Sequence, residues 1–268
     1  MPDLVAAGRL DVSEALLAER AAFVELLGEL DASAWAMPTE CPEWTVQGVA
    51  LHVLGDDLSL LSRQRDAATN GLLLFAETHP GKDFRQLLDG FNEQWVTAAS
   101  FLSDALLVEL LRLTGEWSHR LYSETEPEAL GEPVGLFAAT GPSPYWQIAA
   151  REYLERWVHQ HQIRRALARP GLGPELLLPA AGAIVRSITA NLGFLDAPTG
   201  VSVGLSIDRV AAWTIRRSDD GWSLFDGQVP APDVEVRLGT AEATATLSRG
   251  MDAAVELIGQ IAEGVRGL

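Results

Sequence analysis

The chain has 268 residues, with 20 Lys and Arg against 37 Asp and Glu, a formal net charge of −17. So acidic a chain is poorly suited to binding nucleic acid, which needs basic side chains to displace phosphate counterions, or to docking on an anionic membrane face. Apolar residues make up 47%, ample for a buried core, and the single cysteine, Cys41, excludes an internal disulfide framework and any multi-cysteine metal site.

In chain order, residues 1–10 lack the basic and then apolar runs of a secretory signal. Ser13 can cap a helix over 13–30, with Leu16, Leu17, Phe23 and Leu27 at helical spacing. A turn-rich link at 31–43 holds Pro38 and Pro42. Thr45 can cap the next helix, whose apolar positions include Val46, Val49, Val53, Leu54 and Leu58. Gly48 inside it costs about 1 kcal/mol relative to Ala, so a close approach is expected there. Residues 69–82 read as a mobile connection. Helices are predicted at 83–102, 104–122 and 143–168, the last stopping near Pro170-Gly171. The longest uncharged stretch, 133–150, carries Pro133, Gly135, Gly141, Pro142 and Pro144, so it reads as a loop entering a helix and not as a membrane span. These elements make an antiparallel four-helix bundle with one long crossover over residues 1–169.

Beyond residue 169 the pattern changes. A helix at 174–195 precedes short β-rich runs at 201–207, 210–217, 222–227 and 234–238, with turns such as Asp219-Asp220-Gly221 between them. Helices at 240–249 and 251–265 follow. The expectation is a smaller α+β domain over 170–268.

The stretch with most chemistry is Arg151-Glu-Tyr-Leu-Glu-Arg-Trp-Val-His-Gln-His-Gln-Ile-Arg164. Glu155 and His159 fall within about 40° of each other on one helix face, whereas His161 is about 200° round from His159. A carboxylate and an imidazole so spaced can converge on one cation. His52, on the second helix with Asp56 at i+4, could supply a third donor. Two histidines and a carboxylate would leave a position open for water or substrate. The plain alternatives are a solvated Glu-x-x-x-His pair and a hydrogen-bonded core histidine. Trp44 and Trp157 neighbour these residues as pocket or core side chains. Cys41 reads as a small residue in a Pro-flanked turn.

Two stretches carry a resemblance: Thr39-Glu-Cys-Pro-Glu-Trp-Thr-Val-Gln-Gly-Val-Ala-Leu-His-Val-Leu-Gly-Asp-Asp57 and 151–167. Both resemble signatures of the mycothiol-dependent maleylpyruvate isomerase family, a branch of the DinB-like metal-binding bundles. Trp222–Gly227, Pro232–Leu238 and Leu247-Ser-Arg-Gly250 are similar to the family's sterol-carrier-like C-terminal domain. The resemblance implies a divalent metal, zinc foremost, held by His52, Glu155 and His159. Gly48 replaces a commonly polar residue and His161 a commoner glutamine; neither removes a ligand. It further implies mycothiol as thiol cosubstrate, a small electrophilic substrate, isomerase or S-transferase chemistry, and a monomer, while the lack of a secretory signal in 1–10 points to a cytoplasmic protein. In the isomerase reaction the thiol would add to a conjugated double bond, a single bond would rotate, and elimination would leave a trans alkene. C-terminal Arg209, Arg216, Arg217, Arg237 and Arg249 are available for substrate carboxylates, with nothing to choose among them. Readings of other classes are a non-catalytic metal-containing binding protein and a metal-dependent hydrolase.

Overall fold

The computed structural model describes residues 4–268. The chain divides into two compact units. One holds Ser13–Glu126 and His159–Pro170; the other holds the residues up to Val12, Pro127–Val158 and Gly171–Leu268. One of the crossings between them, after Pro170, falls where the change of sequence character is seen.

The first unit is helical. It contains α1 (Ser13–Gly28), α2 (Ala32–Trp35), α3 (Val46–Leu60), α4 (Gly71–Thr78), α5 (Phe84–Ala99), α6 (Asp104–Glu124) and the C-terminal part of α7 (Tyr145–Ala166). Thr45 caps α3 by accepting from the Gly48 N–H, a contact worth about 1 kcal/mol. Asp83 and Gln86 form a capping box at the start of α5, and Ser103 caps α6. Two segments read as links are helical instead. Asp31 caps the single turn of α2, and Asn70 caps α4 by accepting from the Leu72 N–H. Within 69–82, Gly71–Thr78 are therefore helical: the Asn70 cap and the run Leu72-Leu73-Leu74-Phe75 stabilise a helix that leans on α5. Between α3 and α4 the chain makes a π-helical turn, Leu61–Arg65, and Ala67 leaves it in the left-handed region at φ 55°.

Phe23, Leu27, Val49, Leu54, Leu107, Leu111 and Ile163 belong to this unit's apolar core. Inside the same unit lies an ion pair. Arg20 Nη1 and Nη2 donate to the two oxygens of Asp57 at 2.6 and 3.1 Å, and Thr114 Oγ1 donates to Asp57 Oδ2 at 2.6 Å. Arg20 Nη1 also reaches the Leu111 carbonyl. Gly115 makes room for it: a Cβ there would lie 2.5 Å from Arg20 Cγ.

The second unit is α+β. A five-stranded sheet runs in the order β1-β6-β5-β4-β7, with β4 (Ser202–Ile207), β5 (Ala211–Ser218), β6 (Gly221–Asp226) and β7 (Val234–Leu238). β4 and β7 pair in parallel; the other pairings are antiparallel. The edge strand β1 (Val5–Ala6) pairs with β6, an addition too short to be read from sequence. α8 (Pro174–Asn191), α9 (Thr240–Leu247) and α10 (Met251–Arg266) pack with the sheet. Pro174–Phe194 is long and apolar enough to cross a membrane by length and composition, yet 61% of its apolar 18-residue window is buried within the protein. A two-residue ladder, β2 (Leu130–Gly131) with β3 (Ser143–Pro144), and a 3-10 turn at Gly135–Phe137 lead into α7.

Two outcomes follow from these contacts. Arg20→Ala or Asp57→Ala leaves a buried charge unpaired and is expected to cost about 3–5 kcal/mol in urea unfolding. The double change Arg20→Met with Asp57→Leu is expected to recover part of it. In the sheet, the Ser202 N–H and hydroxyl both donate to Asp233 Oδ2 at 2.8 Å and hold its carboxyl below the ordinary value. Because the folded value is the lower one, this contribution is complete at neutral pH and lost as pH falls through it. The Tm gap between wild type and Asp233→Asn is therefore expected to be open at pH 7 and to close in acid.

Candidate functional site

α3 and the last turns of α7 bring two histidines together. The His52 and His159 rings have centroids 4.7 Å apart and meet edge to face at 82°, with relative exposures of only 7% and 9%. Each is held by its own element. On α3, the Trp44 ring lies against His52 at 4.9 Å, and Trp44 Nε1 donates to Glu93 of α5 at 2.8 Å. Gly48 permits this seat, since a Cβ there would lie 3.0 Å from Trp44 Cβ. The close approach expected at Gly48 is this one. Asp56 Oδ2 stands 3.4 Å from His52 Nε2. On α7, Gln160 Nε2 donates to the backbone and side-chain oxygens of the buried Glu19 at 3.0 and 2.7 Å, tying this end of the helix to α1. Arg164 donates to Gln160 Oε1 at 3.0 Å; burial lowers its pKa, with Glu19 and Glu25 opposing.

His159 Nδ1 lies 2.7 Å from Gln162 Oε1. An amide oxygen only accepts, so Nδ1 is the donor of this contact. A carbonyl at one ring nitrogen is also how a metal-ligating histidine is oriented. The same Gln162 oxygen accepts from the Cys41 thiol at 3.2 Å. Cys41, half-buried in the turn before α3, is thus joined to the histidine pair through one amide.

Glu155 precedes His159 by one turn of α7. Among the described residues, no three or more His, Cys, Asp or Glu side chains stand close enough together to hold a metal ion. Two imidazoles that meet are of a donor type that can hold a cation. His161 is also buried, while His79 caps the end of α4 and stacks on Phe75 at 3.8 Å. Trp157 is fully buried.

His52 also lines a cavity of about 610 Å³ within the helical unit, among α3, the π turn, α4 and α5. Asp56, Arg63, Leu74, Phe75, Phe91 and Trp95 line it as well. Trp95 packs over Gly55, where a Cβ would lie 2.5 Å from the indole, and donates to the Leu51 carbonyl at 2.7 Å. Reasoning from sequence overlooked Gln162, Trp95 and Arg63. The i, i+3 spacing of His159 and Gln162 could have shown the first. The other two depend on how α4 and α5 fold over α3. Of the C-terminal arginines, Arg237 pairs with Glu235 and Arg249 with Glu256.

Replacing Gln162 with Leu removes the acceptor of the His159 Nδ1–H. The His159 imidazole is then expected to populate both neutral tautomers, seen in its ring nitrogen NMR shifts, where wild type shows the Nδ1–H form.

The model of the mycothiol maleylpyruvate isomerase N-terminal domain matches residues 16–164. None of the curated proteins matches the chain. Two crystal structures do. One is a histidine-to-alanine mutant of the mycothiol-dependent maleylpyruvate isomerase, at 14% identity over 90% of this chain and 89% of that one, with TM-score 0.51. The other is the mycothiol-dependent maleylpyruvate isomerase itself, at 13% identity over 88% and 86%, with TM-score 0.50. At such identities the two structures speak for the fold, a helical part followed by an α+β part. The match over 16–164 spans more than half of the 268 residues, and by it the chain belongs to the enzyme family of the mycothiol maleylpyruvate isomerase N-terminal domain.

Proposed function

We propose that this protein is a cytoplasmic, thiol-dependent enzyme of the maleylpyruvate isomerase type. Its cosubstrate would be mycothiol and its substrate a small electrophile, with a divalent metal, zinc foremost, held by His52, Glu155 and His159. The observation that carries the reading is the meeting of two buried imidazoles beside a cavity. Family membership and the names of the two similar structures support the thiol.

When bound, the cation would supply Lewis acidity that favours the thiolate, the nucleophilic form, of a thiol beside it. The chain's residues account for the rest. Gln162 holds the His159 ring in one orientation through Nδ1. Trp44 on one side and His159 on the other confine His52. Asp56 offers a carboxylate within reach of His52 Nε2 and borders the cavity, where it can orient the ring or take a proton. The apolar walls around Phe75, Phe91 and Trp95 exclude water from an electrophile seated there. In isomerisation the thiolate adds to the conjugated alkene, the resulting single bond turns, and the same thiolate leaves. Nothing is consumed. In S-transfer a different group leaves and the thioether is the product.

Elemental analysis and turnover together test the reading. Wild type is expected to carry near-stoichiometric metal and to convert maleylpyruvate or an alkyl halide only when mycothiol is present. His52→Ala and His159→Ala are expected to keep the wild-type far-UV circular dichroism. Both should lose most of the metal and at least about a hundredfold in turnover. Ligand retention without turnover under any thiol would make this a binding protein, and turnover without thiol would make it a hydrolase. Full activity in metal-free wild type would remove the metal from the account.

A further inference from the structure

The Trp44 indole that lies against His52 is held at both of its ends. At the backbone, the Thr39 N–H and hydroxyl both donate to the Trp44 carbonyl, at 3.1 and 2.8 Å, and the Trp44 N–H donates to the Cys41 carbonyl at 3.0 Å. These bonds fix the stem and leave the side-chain torsions open. At the far edge of the ring, Nε1 donates to Glu93 Oε2 on α5 at 2.8 Å. The other oxygen, Glu93 Oε1, accepts from the Thr97 hydroxyl at 3.0 Å, one turn later in the same helix. Both carboxylate oxygens are thus engaged by neutral donors. Glu93 is half-buried, and among the described residues it forms no ion pair. Holding a carboxylate part-way out of water without a counter-cation is costly, which sets this residue apart from an ordinary solvated helix face.

We propose that Glu93 is a positioning residue: by fixing the Trp44 indole it fixes the His52 ring. The His52 ring lies between two others, with its centroid 4.9 Å from that of Trp44 and 4.7 Å from that of His159. A flat ring with a single donor at its edge is oriented by a single acceptor, because the bond is directional. Without the acceptor the indole is free to change rotamer, and His52 gains the space it leaves. The acceptor comes from α5, the helix that also gives Phe91 and Trp95 to the cavity wall, so the histidine pair and the cavity share one support. The inference rests on the reading above only in taking the histidine pair as the working site; the coupling of Glu93 to His52 does not require a metal.

NMR of the metal-free protein tests the coupling, with the Trp44 indole and His52 ring signals assigned by their loss in Trp44→Phe and His52→Ala. Glu93→Ala and the bulkier Glu93→Leu both remove the acceptor, and circular dichroism checks that each is folded. In both, the Trp44 indole N–H is expected to exchange with solvent at least about tenfold faster than in wild type, and the His52 ring signals to move. Glu93→Gln keeps an acceptor oxygen and is expected to leave both readouts near their wild-type values. In a Trp44→Phe background, Glu93→Ala is expected to add nothing to the His52 signals, because the route through the indole is already cut. Titration with zinc reads the consequence: Glu93→Ala is expected to weaken binding at least about tenfold, and Glu93→Gln much less. Unmoved His52 signals in Glu93→Ala and Glu93→Leu, a Glu93→Gln that behaves like the alanine variant, or a further shift in the Trp44→Phe background would each overturn the proposal. A wild type that takes up no zinc removes the metal from the reading above and leaves this inference to the ring signals; zinc uptake with unmoved ring signals does the reverse.

Discussion

The helical unit depends on the buried pairing of Arg20 with Asp57, because it fixes how α3 is rotated. Asp57 follows His52 by five residues, about 140° round the helix axis. The carboxylate therefore faces α1 and α6, where Arg20 and Thr114 hold it, while the imidazole faces elsewhere. A buried ion pair contributes little net stability compared with apolar packing, but it admits few alternative arrangements. Arg20 bonds Asp57 through two nitrogens and the Leu111 carbonyl besides, so a slip of α3 would strand several groups at once. Gly115 completes the arrangement by leaving space for the arginine stem.

A second polar anchor acts on α7. Gln160 is bonded to Glu19 on α1, one residue before Arg20, and neighbours His159 in sequence. The two helices that carry the histidines are thus referenced to consecutive residues of the same helix. This accounts for two side chains, more than a hundred residues apart in sequence, meeting at a defined angle. The Gln162 amide then holds the His159 ring through Nδ1. Binding geometry is set here by helices and not by loops, the more precise way to hold a constellation.

Much of this was legible in the residues. Thr45 announced α3, and the β-rich runs between turns in 201–238 announced the strands. The resemblance carried by 39–57 and 151–167 singled out His52 and His159, and helical spacing placed Glu155 on the face of His159. What escaped did so for physical reasons. Asn70 and the four apolar residues after the glycine build α4, but flanking turn residues masked a helix of only eight residues. β1 has two residues and exists because β6 offers an open edge. The cavity is made by four segments, each unremarkable alone. Arg63 stands in a polar stretch that gives no hint of facing apolar walls. Asp56, one turn after His52, is partly exposed and yet borders the cavity.

The π turn at Leu61–Arg65 bears on how such a pocket could change its preferences. Its hydrogen bond from the Asp66 N–H reaches back five residues to the Leu61 carbonyl, so this stretch spends one residue more than an ordinary turn. Excising a residue just ahead of Arg63 would restore ordinary winding and swing the arginine by about 100°. Which side chain borders the cavity is thus set by chain length as well as by residue identity. A one-residue deletion here would thus re-aim a cavity side chain while every residue of α3, α4 and α5 stayed the same.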